Sequence, residues 1–291
     1  MRQIEEGIFY EDSFSGVTLG ALVFSEGIIM IDAPLRSDDA RSWRAMLMNH
    51  RGWTNRLLVN LDSHPDRTLG AKAMETIILT QLITSEILKT RSTIFKGQGI
   101  DTGSDWESYN EAIGMRWGTP EITFNEQIIL YWNGSEIKIE HHPGASKEAI
   151  WVILPEEKVI FVGDTVLVNQ PPFLAKSDLT QWEGQLDLLL DTYRDYVIVS
   201  GRGGTASNED VHELRKFIRN VARRLELRAK KGAMPEVTEK MVPSLLSKFK
   251  FPRINFEAYE NRLQHGLYQC YLRNYSPMNV NERLGSEGIH N

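Results

Sequence analysis

Only one cysteine, Cys270, occurs in 291 residues, which excludes an internal disulfide and a thiolate-based zinc site. Long apolar runs are missing as well. None reaches the roughly 20 residues that a membrane-spanning helix needs, so no membrane segment is expected. The first residues, MRQIEEGIFYEDSFSG, lack the apolar stretch of a secretory signal. Nor is there a surplus of basic charge: 33 Lys and Arg stand against 39 Asp and Glu, a net charge of −6. That balance gives no overall pull toward nucleic acid or an anionic membrane. The expectation is a cytoplasmic protein with neither nucleic acid nor membrane as partner. No short-period repeat, low-complexity run or coiled coil is present.

What the chain does have is enough apolar content, 41%, to bury a substantial core. VTLGALVF (17–24) and GIIMID (27–32) read as paired strands, and RLLVNL (56–61) and TIILT (76–80) as further strands. Helices are expected in DDARSWRAMLMNH, capped by Ser37, and in QLITSEILKT. Short strands follow at 121–124, 127–132, 135–141, 149–154 and 158–163, punctuated by turns at Asn133–Gly134 and at PEE (155–157). SDLTQWEGQLDLLLDTY reads as a helix, and YVIVS (196–200) as a strand. Beyond 207 the chain is mainly helical. Ser207 with Asp210 resembles a capping box ahead of the stripe Val211, Leu214, Ile218, Val221 and Leu225. A second helix, about 255–273, carries Phe256, Tyr259, Leu263, Leu267, Cys270 and Tyr271. Strands alternating with helices in two halves, each ending in a loop rich in Asp, His or Arg, predict a layered sandwich with a site at the strand ends.

Four strings in this order resemble the metallo-β-lactamase superfamily over about residues 15–205: GALVFSEGIIMIDAP, VNLDSHPDRTLGA, HHPGASKEAIWVILPEEKVIFVGDT and VIVSGRGG. The resemblance implies an α+β fold, an αββα four-layer sandwich, with metals at one edge of the two sheets. With the helical pattern beyond 207, the expected division is a sandwich at 1–205, C-terminal helices packed on the same domain at 206–275, and a flexible tail at 276–291.

The same resemblance maps the metal ligands. The first motif His falls on Asp62, the second on His64, the motif Asp on Asp66 and the final His on Arg67. The ligand that follows Pro-Gly falls on Ala145, not on the adjacent His142, because only the interval from Ala145 to Asp164 matches the family spacing. Asp164 is in the bridging position, and the last His is replaced by Arg202. Of the ligand set only His64, Asp66 and Asp164 remain. A guanidinium has no lone pair to donate and is always charged, so Arg67 and Arg202 repel a cation and neutralise Asp66 and Asp164 instead.

Three functions follow as expectations. The first is a protein without a tightly bound cofactor that holds a small anionic molecule, or a partner protein, through Arg67, Arg202 and His64. The second is a hydrolase working through at most one zinc, iron or manganese ion. Its ligands are drawn from Asp62, His64, Asp164 and His142, and catalysis falls to His64 and Asp66. The third is a structural or interaction protein. A homodimer through the C-terminal helices is also expected.

Other features are weaker. The basic residues at 215, 216, 219, 223, 224, 228, 230 and 231 lie mostly opposite the apolar stripe and read as a solvated helix face. GRGG (201–204) lacks the Lys-Ser/Thr of a phosphate loop. Trp106, Tyr109, Met115 and Trp117 suit either a cover over the site or a core contact. Ser63 and Ser146 lie near the site without an identified base. His50, His212, His265 and His290 fall outside the motifs.

Overall fold

Apolar residues on both faces of successive strands require two sheets with further layers outside them. The computed structural model, which describes residues 1–51, 56–97, 109–132 and 134–275, has this arrangement. The first sheet runs in the order β1 (Arg2–Glu5), β2 (Ile8–Glu11), β3 (Leu19–Phe24), β4 (Gly27–Ile31), β5 (Arg56–Val59), β6 (Ile77–Gln81) and β7 (Ile122–Phe124). α1 (Ser37–Arg51), α2 (Pro65–Thr68) and α3 (Leu82–Thr90) connect its later strands. The second sheet contains β8 (Gln127–Trp132), β9 (Ser135–His141), β10 (Ile150–Leu154), β11 (Val159–Phe161), β12 (Val197–Val199) and β13 (Thr205–Ala206). α4 (Leu179–Asp191), α5 (Asn208–Ala229), α6 (Val242–Leu246) and α7 (Phe256–Asn274) complete the chain.

The period-2 alternation of strands divides the core into layers. Ile29 and Ile31 of β4 point inward with Ile150, Val152 and Leu154 of β10 to form the core between the sheets. Ile28 and Met30 point outward to Ala40, Trp43 and Leu47 of α1. Trp151 and Ile153 point the other way, to Trp182, Leu186 and Leu189 of α4, Val211, Ile218 and Val221 of α5, and Leu263, Leu267 and Cys270 of α7. The layers are therefore helix, sheet, sheet, helix.

Caps fix the helix starts. Asp178 accepts from the backbone N–H of Thr180 and Gln181, both at 3.0 Å, so α4 starts after Asp178 and not at Ser177. The capping box of Ser207 and Asp210 opens α5 as its sequence predicts. The hairpin β1–β2 has no clear sequence signal, since β1 is short and polar. Tyr109, Met115 and Trp117 pack on Leu35, Leu69, Phe95 and Ala112, a core contact, while Trp106, Asn133 and the tail at 276–291 lie outside the described residues. Among the described residues no helix is long and apolar enough to cross a membrane.

Candidate functional site

β4 and β5 run parallel, as do β11 and β12, and the loops leaving their C-terminal ends meet at one edge of the sandwich. Asp32 follows β4, Asp62 to Arg67 follow β5, Asp164 follows β11 and Arg202 follows β12. Asp32 is in the left-handed region, φ 60°, and its carboxylate accepts from the backbone N–H of Leu61 at 2.9 Å. Gly201 must be glycine, because a Cβ there would sit 2.4 Å from Asp164 Oδ1 and 2.6 Å from the Gly163 carbonyl oxygen. Two indoles fix the next residue: Trp151 Nε1 donates to Thr165 Oγ1 at 3.0 Å and Trp182 Nε1 to the Thr165 carbonyl at 2.9 Å.

These loops assemble a buried core of four carboxylates and two guanidiniums. Arg67 donates to Asp32 Oδ2 and to Asp164 Oδ1, both at 2.5 Å. Its Nε lies 2.9 Å from Asp62 Oδ1, an ion pair without the alignment of a hydrogen bond. Arg202 donates to Asp66 Oδ2 at 2.5 Å and to both oxygens of Asp164 at 3.2 Å. His64 Nδ1 is 2.7 Å from Asp66 Oδ1. Phe173 covers this edge, with the His64 ring at 4.8 Å and the guanidinium carbons of Arg202 and Arg262 at 4.6 and 3.9 Å from its centroid.

The carboxylates titrate in opposite directions. Burial alone would raise Asp164, but Arg202 and Arg67 overcome it and draw its pKa down to about 2. Burial is also outweighed at Asp66, where Arg202 and His64 hold the carboxyl well below the usual range. At Asp32 burial wins over Arg67, with Asp62 adding repulsion, and the pKa rises to about 7. Asp62 is raised as well, by burial first, against Arg67, with Asp164 and Glu148 adding to it. The carboxylates outnumber the guanidiniums, and the surplus negative charge is relieved at Asp32 and Asp62.

Several expectations are corrected by this geometry. Arg67 is 0% exposed and Arg202 4%, and their donors are engaged by carboxylates, so neither presents a free fork to an anion. His142 is engaged by other groups. It stacks on Trp151 at 3.7 Å, with Nδ1 2.8 Å from Gln185 Oε1 and Nε2 3.2 Å from Glu140 Oε2. Among the described residues no group of three or more His, Cys, Asp or Glu converges to hold a metal ion, and Asp62, His64 and Asp164 do not make one. The donor chemistry does not fit a dinuclear metal centre either. Two of the places the resemblance assigns to imidazoles are taken by Arg67 and Arg202, already bonded to the remaining carboxylates, and two more by Asp62 and Ala145.

Beside this core is a cleft that Arg67 and Arg202 do not line. Asp62, His64, Ala145 and Asp164 are in its wall. Ser63, Ser146, Glu148, Phe173, Lys176, Arg262 and His265 line it too. His265 was expected outside the site. It belongs because α7 contributes Arg262, His265 and Gly266 to the lining. Arg262, also from α7, donates to Gln170 Oε1 at 3.0 Å and to the Pro171 carbonyl at 3.1 Å, tying the helix to the loop that carries Phe173.

No protein-family model and no curated protein sequence matches the chain, so its likeness to known proteins is one of structure. A metallo-beta-lactamase from Pontibacter korlensis superposes with a TM-score of 0.60 at 16% identity, covering 75% of this chain and 98% of that one. The DIM-1 metallo-beta-lactamase gives 0.59 at 16%, covering 75% and 96%. The inverting sec-alkylsulfatase Pisa1 from Pseudomonas sp. gives 0.66 at 14% and covers 97% of this chain, which carries the match into the C-terminal helices. This chain spans 51% of the alkylsulfatase. Layer order, the loops that converge at one sheet edge and these superpositions agree: the chain has the metallo-β-lactamase fold.

Proposed function

We propose that this protein works without a two-metal centre and binds a small organic ligand bearing an anionic group in the cleft beside its ion-pair core. The observation that carries this reading is the bonding of Arg67 and Arg202 to Asp164, with Asp32 and Asp66 as their further partners. A metal hydrolase lowers the pKa of bound water by concentrating positive charge on its oxygen. Arginines whose donors are already engaged offer no coordination position for that step. The cleft supplies instead an apolar wall, from Leu61, Ala145, Val162 and Leu174, with Lys176 and His265 as basic groups. An apolar body with a charged group suits such a lining. The alkylsulfatase that spans most of the chain is named for a substrate of that kind.

The test combines elemental analysis with ligand binding. Protein purified without added metal is expected to carry no stoichiometric zinc, iron or manganese, and a chelator is expected to leave its melting temperature unchanged. Hexanoate is expected to raise that temperature in the native chain and to do so less in Lys176→Glu. Hydrolysis of a β-lactam, thioester or phosphodiester that a chelator abolishes and zinc or manganese restores would overturn the proposal in favour of a one-metal hydrolase.

A further inference from the structure

Glu148 is a charged residue that the ion-pair core does not use. It is 2% exposed, lines the cleft, and takes a short hydrogen bond from the Ser63 hydroxyl. Among the described residues it has no ion pair. Asp62, its acidic neighbour across the cleft wall, is raised in pKa partly by the Glu148 charge. A carboxylate removed from water and held by one hydroxyl is under-compensated, whereas its neighbours Asp66 and Asp164 each have a guanidinium. A second observation lies in the same cleft lining: Ser146 Oγ is shielded from solvent and has no hydrogen-bond partner. Two oxygen acceptors in one cleft lining, one charged and one unsatisfied, match a ligand with several N–H donors and a positive charge. The opposite polarity is at the rim, where Lys176 is exposed and His265 half-buried.

We infer that the cleft takes a zwitterion, with a primary ammonium bound deep at Glu148 and Ser146 and a carboxylate at the rim near Lys176 and His265. This rests on the proposed anion-binding reading and adds the cationic end to it. The ammonium satisfies Ser146 and neutralises Glu148 without displacing the Ser63 hydroxyl, since a carboxylate accepts several hydrogen bonds. The apolar remainder of the wall accommodates the ligand's methylene groups.

Calorimetry on the full chain with four probes of equal carbon number tests this: hexanoate, hexylammonium, 2-aminohexanoate and 6-aminohexanoate. At least one of the two zwitterions is expected to bind tenfold or more tighter than hexanoate. Glu148→Gln, which keeps an acceptor for Ser63, is expected to bring that zwitterion down to the level of hexanoate measured in the same variant. Ser146→Ala provides a second variant outside the Ser63 bond and is expected to weaken the zwitterion severalfold relative to hexanoate in the same variant. Hexanoate binding as tightly as both zwitterions, or zwitterion binding indifferent to both substitutions, overturns the inference and leaves the anion reading standing. If hexanoate and both zwitterions fail to bind, the anion reading falls and this inference with it. Binding of hexylammonium alone overturns the rim assignment and with it the zwitterion.

Discussion

Arg202→Ala would leave Asp66 without its guanidinium and Asp164 with only Arg67 in a site closed to water. Removing one partner from a buried ion pair costs about 3–5 kcal/mol, mostly from the stranded charge. Chemical denaturation of Arg202→Ala is expected to show a loss of that order, and a loss below about 1 kcal/mol would mean that solvent enters the core. The pH dependence has two limbs of opposite sign. Asp164 has a folded pKa below the ordinary ~3.9, so its contribution is full above that pH and is lost as pH falls toward about 2, and Asp66, held well below the usual range, acts in the same direction. Asp32 is raised to about 7, so its contribution is full below ~3.9 and is lost as pH rises from there toward 7. Denaturation from pH 2 to 8 is expected to show both limbs, with the upper one flattened in Asp32→Asn. An unchanged upper slope in that variant would assign it to another group. At this scale the sequence was partly legible. The substitutions at Asp62, Arg67, Ala145 and Arg202 pointed to carboxylate–guanidinium pairing, and Arg202 does join Asp66 to Asp164. The sealing of both arginines was not legible, because Phe173 and Asp32 close the core from segments remote in sequence. Glu148 lies within one of the resembling strings but at no ligand position, and gained meaning only once its surroundings were known.

At the scale of elements, the periodic segments were readable and the irregular ones were not. The apolar stripe of α7 predicted its register, and Leu263, Leu267 and Cys270 do face the core. His142 was misplaced for a related reason. It follows the strand β9, and its ring stacks on Trp151, a consequence of tertiary packing that spacing does not carry. α7 uses most of its stripe inside the chain, but its start does not. Its first residue, Phe256, is 47% exposed, and Ile254 in the turn just before it is 88% exposed. Self-association through this end is our proposal, carried by those two side chains. Sedimentation at high concentration is expected to show a dimer that Ile254→Asp with Phe256→Asp dissociates. A monomer at every concentration would remove the idea.

For the molecule as a whole, the layer order was legible because strand alternation and helical stripes are repeated many times, so local errors at boundaries do not change the sum. The ion-pair core has a consequence in time as well as in energy. Its bonds join residues 35, 97 and 136 positions apart, drawn from both sheets. Contacts so distant in sequence carry a large loop-closure entropy, and half-desolvated charges gain little until water has left. The core should therefore form after the sheets have docked, late on the folding route. Arg202→Lys, which keeps the charge and loses the fork, is expected to leave the refolding rate nearly unchanged and to speed unfolding. A refolding rate that falls in proportion to the lost stability would put the core in the nucleus instead. On this view the buried arginines act as a latch on the native state: they do little to guide the chain there and much to slow its departure.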